Sequence, residues 1–404
     1  MAIVLHTAAW LVPVATLPIK KGAVAVAAGK IVAVGPLAEV QARFPGVATH
    51  DHGEAALTPA LINAHSHLEL AHLRELSQQP HVGSFTAWVA KLIALRSQKG
   101  DNGAASAALA ECRRLYDEGV SVLADIGNSD LPLGLMDRFP GRLLAFHEYL
   151  GITERDSDRN RARLQLEADS RLCSAHAPYS THPALLQALK SRSRRLGQIL
   201  PIHVAEPPEE LELLRSGGGE MAAFSRARAQ DELRFQPAVA PTEGSIHYLY
   251  RLGLLDAETL CVHAVHLSEA ELDILAGTGA KVCLCPGSNR FLGVGSAPVL
   301  RFLAHGILPA LGTDSSASNP ELSLWREMRL LAETPGLKPE TIFAMATLGG
   351  AAALGLDRDF GSLAVGKSAD MILVPLDRAV PDPAGLMQAL VSPPGRHVIK
   401  RIAP

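Results

Sequence analysis

Short hydrophobic runs alternate with helical stretches through the middle of the chain. From residue 58 to about residue 335 the runs show no polar alternation, which is typical of parallel strands buried on both faces. Eight runs have this pattern: Ala60–His65, Val120–Ile126, Leu143–Leu150, Arg171–Ala177, Ile199–Val204, Leu260–His266, Lys281–Cys285 and Leu308–Gly312. Helical periodicity lies between most of them, as in Phe85–Arg96 and Pro183–Arg195. The pattern predicts an α/β fold of the (β/α)8 TIM-barrel type.

The two ends of the chain have a different pattern. Residues 2–56 contain short β-type runs, and β-type sequence returns around Gly361–Val374, with no clear final strand. We expect residues 1–57 and 355–404 to form one small β-sandwich domain beside a catalytic barrel of residues 58–354. The long segment 207–255, after the fifth run, is expected to be an insertion or lid.

Composition narrows the class of protein. The 404 residues are 48% hydrophobic and 20% charged with a net charge of −3, which is typical of a globular enzyme. No basic block is present, so a nucleic-acid partner is not expected. The apolar N-terminus lacks the positive region of a signal peptide, and no run is long enough to span a bilayer. We therefore expect a cytoplasmic protein without a membrane partner.

The five cysteines are scattered along the chain. An odd, dispersed set in a long chain argues against a disulfide framework and for a reducing compartment. Cys283 and Cys285 form a CxC pair that could bind metal, but an apolar buried strand explains them better, because zinc-binding cysteines are usually spaced more widely.

Polar residues capable of metal chemistry fall at the ends of the predicted strands. His65 and His67 close the first run, His203 the fifth, His263 lies in the sixth and Asp314 follows the eighth. Residues i and i+2 of an extended chain face one side, so the first two imidazoles can reach a single ion. Imidazoles together with a carboxylate suit one divalent ion that retains a water for chemistry.

Glu206 follows His203 by three residues and would lie just past the fifth strand. One interpretation makes it a first-turn carboxylate, since Pro207-Pro208-Glu209-Glu210 is typical of a helix start. The preferred interpretation is catalytic, because this position would place a proton carrier beside the attacking water.

Taken together, the motifs resemble the amidohydrolase superfamily, in its cytosine, guanine and adenosyl-homocysteine deaminase branch. The resemblance covers nearly the whole chain. It is carried by Thr-Pro-Ala-Leu-Ile-Asn-Ala-His-Ser-His-Leu-Glu (58–69), His-Ala-Pro-Tyr (176–179), His-Val-Ala-Glu (203–206), Val-His-Ala-Val-His-Leu (262–267), Cys-Pro-Gly-Ser-Asn (285–289), Leu-Gly-Thr-Asp-Ser-Ser-Ala-Ser (311–318) and Gly361–Val374.

The resemblance implies roles for individual residues. The implied metal ligands are His65, His67, His203 and Asp314. Glu206 matches the proton shuttle, His263 and Asp314 match the residues that hold the attacking water, and His176 matches a substrate-side histidine. Because no lysine ends the third or fourth run, the resemblance implies a single divalent ion, zinc before iron.

Within that branch, the closest resemblance is to aminodeoxyfutalosine deaminases, which serve menaquinone biosynthesis. It rests on Leu-Glu after the HxH pair, on Ser84-Phe85 with Trp88, and on His-Val-Ala-Glu-Pro-Pro-Glu-Glu-Leu-Glu (203–212). Glu69 could then accept a hydrogen bond from a ribose hydroxyl of the substrate. Phe85 and Trp88 either pack on an aromatic group of the substrate or belong to the hydrophobic core.

Two further questions concern single residues. The benzoate of aminodeoxyfutalosine needs a cation, for which Arg155 and Arg290 are candidates. His147, beside Glu148, is either another site residue or simply a polar strand end.

Three alternatives stay open. The first is a deaminase of adenosyl-homocysteine, methylthioadenosine or guanine. The second is a triazine-type chlorohydrolase, which uses the same metal but does not require the Glu206 shuttle. The third, a non-catalytic barrel that serves as a scaffold, is disfavoured because all four implied ligands are present. The expected partner is a small molecule, and a homo-oligomer is compatible with the sequence.

Overall fold

A computed structural model describes residues 2–228, 242–376, 379–392 and 399–402. Part of the predicted insertion, residues 229–241, lies outside the described residues. The N-terminal strands are β1 (Ile3–Thr7), β2 (Trp10–Leu11), β3 (Ile19–Lys20), β4 (Gly22–Ala27), β5 (Lys30–Pro36), β6 (Thr49–Asp51) and β7 (Ala55–Pro59). The central strands are β8 (Leu61–Ser66), β9 (Val120–Gly127), β10 (Arg142–Tyr149), β11 (Leu172–Ala175), β12 (Leu200–Val204), β13 (Thr259–His263), β14 (Lys281–Leu284) and β15 (Ala310–Leu311). The C-terminal strands are β16 (Met371–Pro375) and β17 (Lys400–Arg401).

Helices separate most of the central strands and cover the sheet. The α-helices are α1 (Leu37–Arg43), α2 (Phe85–Lys99), α3 (Ala104–Asp117), α4 (Leu131–Leu135), α5 (Glu154–Leu166), α6 (Pro183–Leu196), α7 (Pro208–Ser216), α8 (Gly219–Arg228), α9 (Ser245–Arg251), α10 (Glu269–Thr278), α11 (Pro286–Leu292), α12 (Val299–Ala304), α13 (Leu324–Ala332), α14 (Pro339–Ala344), α15 (Gly350–Ala353) and α16 (Pro383–Val391). A 3-10 helix spans Leu68–Ser77 and a π-helix spans Met345–Gly349.

The central sheet is a parallel barrel. Strands β8 to β15 are hydrogen-bonded in sequence order, and an isolated parallel bridge between Ser66 and Asp314 joins the first strand to the end of the last. The backbone N–H groups of Thr313 and Asp314 both donate to the carbonyl of His65, at 3.0 and 3.1 Å. The predicted TIM-type barrel is therefore confirmed, and each of the eight predicted runs overlaps one of its strands.

Two further sheets come from the chain ends. One has the order β5-β4-β1-β6 and the other the order β17-β16-β7-β2-β3. An apolar layer that includes Val24, Leu57 and Met371 joins their facing sides, so the predicted sandwich from both termini is confirmed. The prediction of no clear final strand is wrong, because β17 pairs with β16. A strand of two residues is too short to show a periodicity.

The exact division into domains stays a prediction. Strand β7 spans the proposed boundary at residue 57, and α16 packs against α13 and α14 of the barrel. Among the described residues, no helix is long and apolar enough to cross a membrane.

Candidate metal centre and substrate cavity

Three imidazoles converge at the carboxyl end of the barrel. His65 lies near the end of β8, His67 directly follows that strand, and His203 lies in β12 on the opposite side of the barrel mouth. The Nε2 atom of His203 is 3.2 Å from Nε2 of His67 and 3.2 Å from Nε2 of His65. Three nitrogens this close, with the rings largely buried, leave a position where a single cation could contact all of them.

Hydrogen bonds at the far side of the rings fix which nitrogen faces the centre. The Nδ1 atom of His67 donates to the carbonyl of Ile126 at 2.9 Å, and Nδ1 of His203 donates to the carbonyl of His176 at 2.8 Å. A carbonyl oxygen can only accept, so each ring in its neutral form carries its proton on Nδ1 and presents a lone pair at Nε2. This is the form in which an imidazole binds a metal.

Asp314 supplies a carboxylate to the same position. Its Oδ1 atom is 3.6 Å from Nε2 of His67 and 3.8 Å from Nε2 of His65. Its Oδ2 atom accepts from the hydroxyls of Ser288 and Ser318, at 2.5 and 2.9 Å. The residue has a φ of 57°, an uncommon backbone conformation outside glycine that recurs at functional sites.

The electrostatics of the cluster favour neutral imidazoles at His65 and His203. Burial, followed by the charge of neighbouring imidazoles, lowers the pKa of His65 and of His203 well below the usual value. For His67 burial is the largest single influence and lowers the pKa, but the carboxylates of Asp314, Glu148, Asp125 and Glu69 together outweigh it, so the pKa is raised. The buried Nδ1 of His65 has no hydrogen-bond partner within the described ranges. Three imidazole nitrogens and one carboxylate oxygen thus fit a single divalent ion of the zinc type.

Glu206 lies beside this centre because the chain turns sharply after β12. Ala205 has a φ of 53°, and the carboxylate of Glu210 accepts from the backbone N–H groups of Ala205 and Glu206 at 3.0 and 3.4 Å. Glu206 is 5% exposed, and its carboxylate groups with His263 and Asp314. Burial and the charge of Asp314 raise its pKa well above the usual value. A carboxyl group in this environment can hold a proton.

His263 ends β13 on the same rim. Its Nδ1 atom is 2.9 Å from Oδ1 of Asn289, which fixes the ring, and 3.7 Å from Oε1 of Glu206. Burial lowers the pKa of His263, so the ring is neutral and can accept a proton. His263 and Ala264 both have positive φ, at 72° and 48°. Of the seven non-glycine residues with positive φ in the described chain, four lie at this rim.

One supporting residue was missed in the sequence. Asp125, at the end of β9, accepts from the hydroxyl of Ser66 at 2.9 Å and from the backbone N–H of Leu68 at 2.7 Å. These bonds hold the turn that carries the HxH pair. Burial raises the pKa of Asp125 to about 7. The signal was present, because Asp125 is a polar residue at the end of an apolar run.

The centre opens into a cavity that we call the inner chamber. Its walls combine the charged rim with apolar side chains of α2. The lining residues are His67, Glu69, Leu70, Phe85, Trp88, Val89, Leu92, Ile93, Arg96, Asn128, Glu148, His176, Tyr179, His203, Glu206, His263, Leu292, Asp314 and Ser315. A concave site with apolar walls and a few convergent polar groups is the usual form of a small-molecule site.

A second space continues outward from the inner chamber, and we call it the outer chamber. It shares the wall formed by α2 and adds residues from α5 and from α8 of the insertion. The residues that it adds are Thr86, Leu150, Gly151, Ile152, Thr153, Asp156, Ser180, Met221, Phe224, Ser225 and Arg228. The predicted insertion therefore forms part of the cavity wall.

The four residues predicted to contact substrate all line the inner chamber: Glu69, Phe85, Trp88 and His176. Phe85 and Trp88 also belong to an apolar cluster, at 5% and 8% exposure. These two residues therefore pack in the core and line the cavity at the same time. Glu69 is already engaged, since Oε1 is 3.1 Å from Nη2 of Arg96 and Oε2 accepts from the hydroxyl and backbone N–H of Ser129, at 2.6 and 3.1 Å.

Other candidate residues lie elsewhere. Arg290 pairs with Glu333 on the surface at 2.5 Å, and neither it nor the exposed Arg155 lines either chamber. The arginines that do line the outer chamber are Arg96 and Arg228. Sequence reasoning missed both, because only the tertiary fold brings α2 and α8 together.

The remaining ambiguous residues have structural surroundings. His147 contacts Nη2 of Arg171 at 3.2 Å and lines neither chamber, so it is a polar strand end. Cys283 and Cys285 are free and buried in an apolar cluster. Neither cysteine belongs to a group in the described chain that could hold a metal.

Comparisons with known proteins agree with this geometry. A sequence model described as the Amidohydrolase family matches residues 56–392, and one described as an Imidazolonepropionase-like composite domain of bacteria matches residues 22–46. A 5-methylthioadenosine/S-adenosylhomocysteine deaminase of Nitratidesulfovibrio vulgaris is 31% identical over 379 residues, covering 89% of this chain and 80% of the relative.

Solved structures share the whole fold. An adenosine deaminase from Xanthomonas campestris with bound zinc superposes with a TM-score of 0.77 at 26% identity, covering 98% of this chain and 90% of the other. An aminofutalosine deaminase from Helicobacter pylori, in complex with methylthio-coformycin, has a TM-score of 0.82 at 22% identity and covers 100% of both chains. At that identity the second likeness establishes the fold alone.

Proposed function

The chain belongs to the amidohydrolase family and is a hydrolase of carbon–nitrogen bonds, and we propose that it releases ammonia from an aminopurine nucleoside. The observation that carries this proposal is the placement of Glu206 beside the imidazole and carboxylate centre. Hydrolytic deamination of a ring needs an attacking water and a proton donor on the same side of the substrate. Relatives named as deaminases of adenosine-like nucleosides support the same reaction.

The proposed metal ligands are His65, His67, His203 and Asp314. A divalent ion held there, for which we propose zinc, would supply chemistry by lowering the pKa of a water toward about 7. Asp314 and His263 orient the attacking water and accept its proton. Protonated Glu206 donates to a ring nitrogen, which makes the carbon that carries the amine electrophilic. The water oxygen bonds to that carbon, and the proton taken up by Asp314 or His263 passes to the amine. The carbon–nitrogen bond then breaks with loss of ammonia, while the new hydroxyl becomes a carbonyl and gives its remaining proton back to Glu206.

For the substrate we propose 6-amino-6-deoxyfutalosine, and with it a role in menaquinone biosynthesis. The outer chamber supports this assignment, because a nucleoside bound with its purine at the centre would extend its 5′ arm there. The walls combine apolar side chains, including Leu150 and Phe224, with the cations Arg96 and Arg228. An apolar passage that ends at a cation suits an arm made of an aromatic ring and a carboxylate.

Arg228 is the stronger counter-ion for such a carboxylate. Arg96 already pairs with Glu69 at 3.1 Å, whereas Arg228 forms no ion pair within the described part of the chain and lies 5.7 Å from the ring centroid of Phe224. An amino-acid arm would also need a partner for its ammonium group. The one added carboxylate, Asp156, is occupied by Arg159 at 2.7 Å and by the hydroxyl of Thr153 at 2.8 Å.

The second candidate, a deaminase of methylthioadenosine or adenosyl-homocysteine, is favoured by the 31% identical relative. Ammonia release by the metal-loaded protein from aminodeoxyfutalosine, adenosyl-homocysteine, methylthioadenosine, adenosine and guanine separates the two. We expect aminodeoxyfutalosine to have the highest kcat/KM. Preference for another nucleoside would discard the menaquinone assignment, and no ammonia from any of them would discard deamination.

The variant Arg228→Gln tests whether this arginine recognises the carboxylate of the substrate's 5′ arm. We expect the KM for aminodeoxyfutalosine to rise by about tenfold, since a charge-assisted hydrogen bond to its carboxylate is lost, while turnover of adenosine is unchanged. Arg226→Gln, an exposed arginine of the same helix that lines neither chamber, is the matched control. An equal loss for both substrates would contradict a role in recognising the carboxylate.

A further inference from the structure

Glu148 carries a carboxylate oxygen that nothing in the proposed mechanism uses. The residue ends β10 at 6% exposure and lines both the inner and the outer chamber. Its Oε2 atom accepts from Nδ2 of Asn128 at 2.7 Å. Its Oε1 atom is buried and has no hydrogen-bond partner in the described chain, since Nδ1 of His203 lies 3.7 Å away, beyond hydrogen-bond distance.

A chain of side chains holds this carboxylate in place. Glu69 pairs with Arg96, and Nη1 of Arg96 donates to Oδ1 of Asn128 at 3.3 Å. That contact directs the amide nitrogen of Asn128 toward Glu148. One oxygen of Glu148 is therefore fixed, and the other is a buried acceptor without a donor, in a residue that lines both chambers. A buried acceptor without a donor is unfavourable unless a ligand supplies the donor.

A second cation is a poorer explanation for this oxygen. Glu148, His176 and His203 are close enough to form a ligand group. However, the nitrogen of His203 on that side is Nδ1, which donates its proton to the carbonyl of His176 at 2.8 Å. A protonated nitrogen cannot bind a metal, so only two ligands would remain.

We propose that Oε1 of Glu148 accepts a hydrogen bond from a sugar hydroxyl of the substrate, and that Glu148 selects ribonucleosides. The inference rests on the proposed function, which places the purine in the inner chamber and the 5′ arm in the outer one. The sugar then lies at the junction, and its hydroxyls are the only donors that it offers. A site built to bind a hydroxyl rejects analogues that lack it, because its buried acceptor stays unpaired. Glu69, with both oxygens engaged, is less suited to this role.

A double-mutant cycle tests the contact. Adenosine, 2′-deoxyadenosine and 3′-deoxyadenosine are compared in the metal-loaded wild type, Glu148→Ala and Glu148→Gln. In the wild type we expect removal of the contacted hydroxyl to lower kcat/KM by roughly 10- to 100-fold. In Glu148→Ala we expect a similar loss with adenosine and no further loss with the deoxynucleoside. Glu154→Gln, an exposed carboxylate outside both chambers, should behave as wild type.

The proposal would be overturned if the decrease in kcat/KM from Glu148→Ala and the decrease from removal of the hydroxyl simply multiplied, because a merely structural role of Glu148 predicts independent effects. Loss of a bound metal ion in Glu148→Ala would overturn it in favour of a cation site. The same cycle is also measured as Kd by calorimetry, so that it does not depend on turnover. Absence of ammonia would count against deamination alone, whereas absence of coupling in Kd, or of nucleoside binding, would overturn the role of Glu148.

Discussion

The molecule contains two histidine clusters whose chemistry differs. At the barrel mouth, Nε2 of His203 lies 3.2 Å from Nε2 of His65 and 3.2 Å from Nε2 of His67. In the terminal sandwich, a cluster formed by His6, His50 and His52, which we call the terminal histidine cluster, brings Nδ1 of His6 within 3.1 Å of Nε2 of His52. Contact between ring nitrogens is therefore common to both.

The difference lies in what surrounds the rings. At the barrel mouth, carbonyls accept from the outer nitrogens of His67 and His203 and Asp314 faces the inner nitrogens, so lone pairs of imidazole nitrogens and a carboxylate converge. In the terminal histidine cluster, the stacked rings of His6 and His52 form a hydrogen bond with each other. The neighbouring Asp51 carboxylate accepts a hydrogen bond from the backbone N–H of Gly53. Every candidate ligand group among the described residues lies at the barrel mouth. Convergence of lone pairs, and not the number of histidines, makes a metal site.

Removal of the metal is expected to have the largest effect. A chelator should lower turnover by at least about a thousandfold, because the activated water is lost, and added zinc should restore it. His203→Asn should lose the bound ion as measured by elemental analysis, whereas His52→Asn should retain it. Equal metal loss in the two variants would remove the distinction between the clusters.

Glu206→Gln separates proton transfer from metal binding. We expect kcat to fall by about a hundredfold or more, because the amide cannot donate the proton that the ring nitrogen needs. Metal content should stay at the wild-type level, since Glu206 is not a proposed ligand. Glu212→Gln, an exposed position of the following helix, serves as the control, and an active Glu206→Gln protein would refute the assignment of the shuttle.

The terminal histidine cluster should affect stability and not activity. Burial, followed by the charges of His52 and His50, lowers the pKa of His6 to about 4 from a usual value of 6.5. The unfolded chain therefore binds more protons between these values, and the stability contributed by neutral His6 is present above pH 6.5 and lost as pH falls toward about 4.

His6→Gln should flatten that part of the stability profile. In metal-loaded protein, where the barrel imidazoles are held, we expect the decrease in Tm between pH 6.5 and 4.5 to be smaller than in wild type by roughly 2–4 °C. Turnover at pH 7 should be unchanged. An identical pH profile in the variant would show that His6 titrates normally in the folded protein.

Much of the barrel, and the grouping of residues at the candidate metal centre, could be predicted from the sequence. The eight apolar runs predicted the strands because burial on both faces leaves a continuous hydrophobic signal. His65, His67, His203, His263 and Asp314 stood out because parallel strands bring their carboxyl ends to one face, where polar residues after apolar runs must meet. Asp125 and Glu148 follow the same rule and could have been found with it.

The tertiary structure alone decided the rest. The two chambers depend on α2, α5 and α8, which are distant in sequence and meet only on the folded barrel. Only the contacts show that Glu69 is occupied by Arg96 and Ser129, that Arg228 and not Arg290 lines the outer chamber, and that one oxygen of Glu148 is left without a donor. The sequence specifies residue types at strand ends, whereas hydrogen-bond partnership is a property of distances between segments, which no single segment encodes.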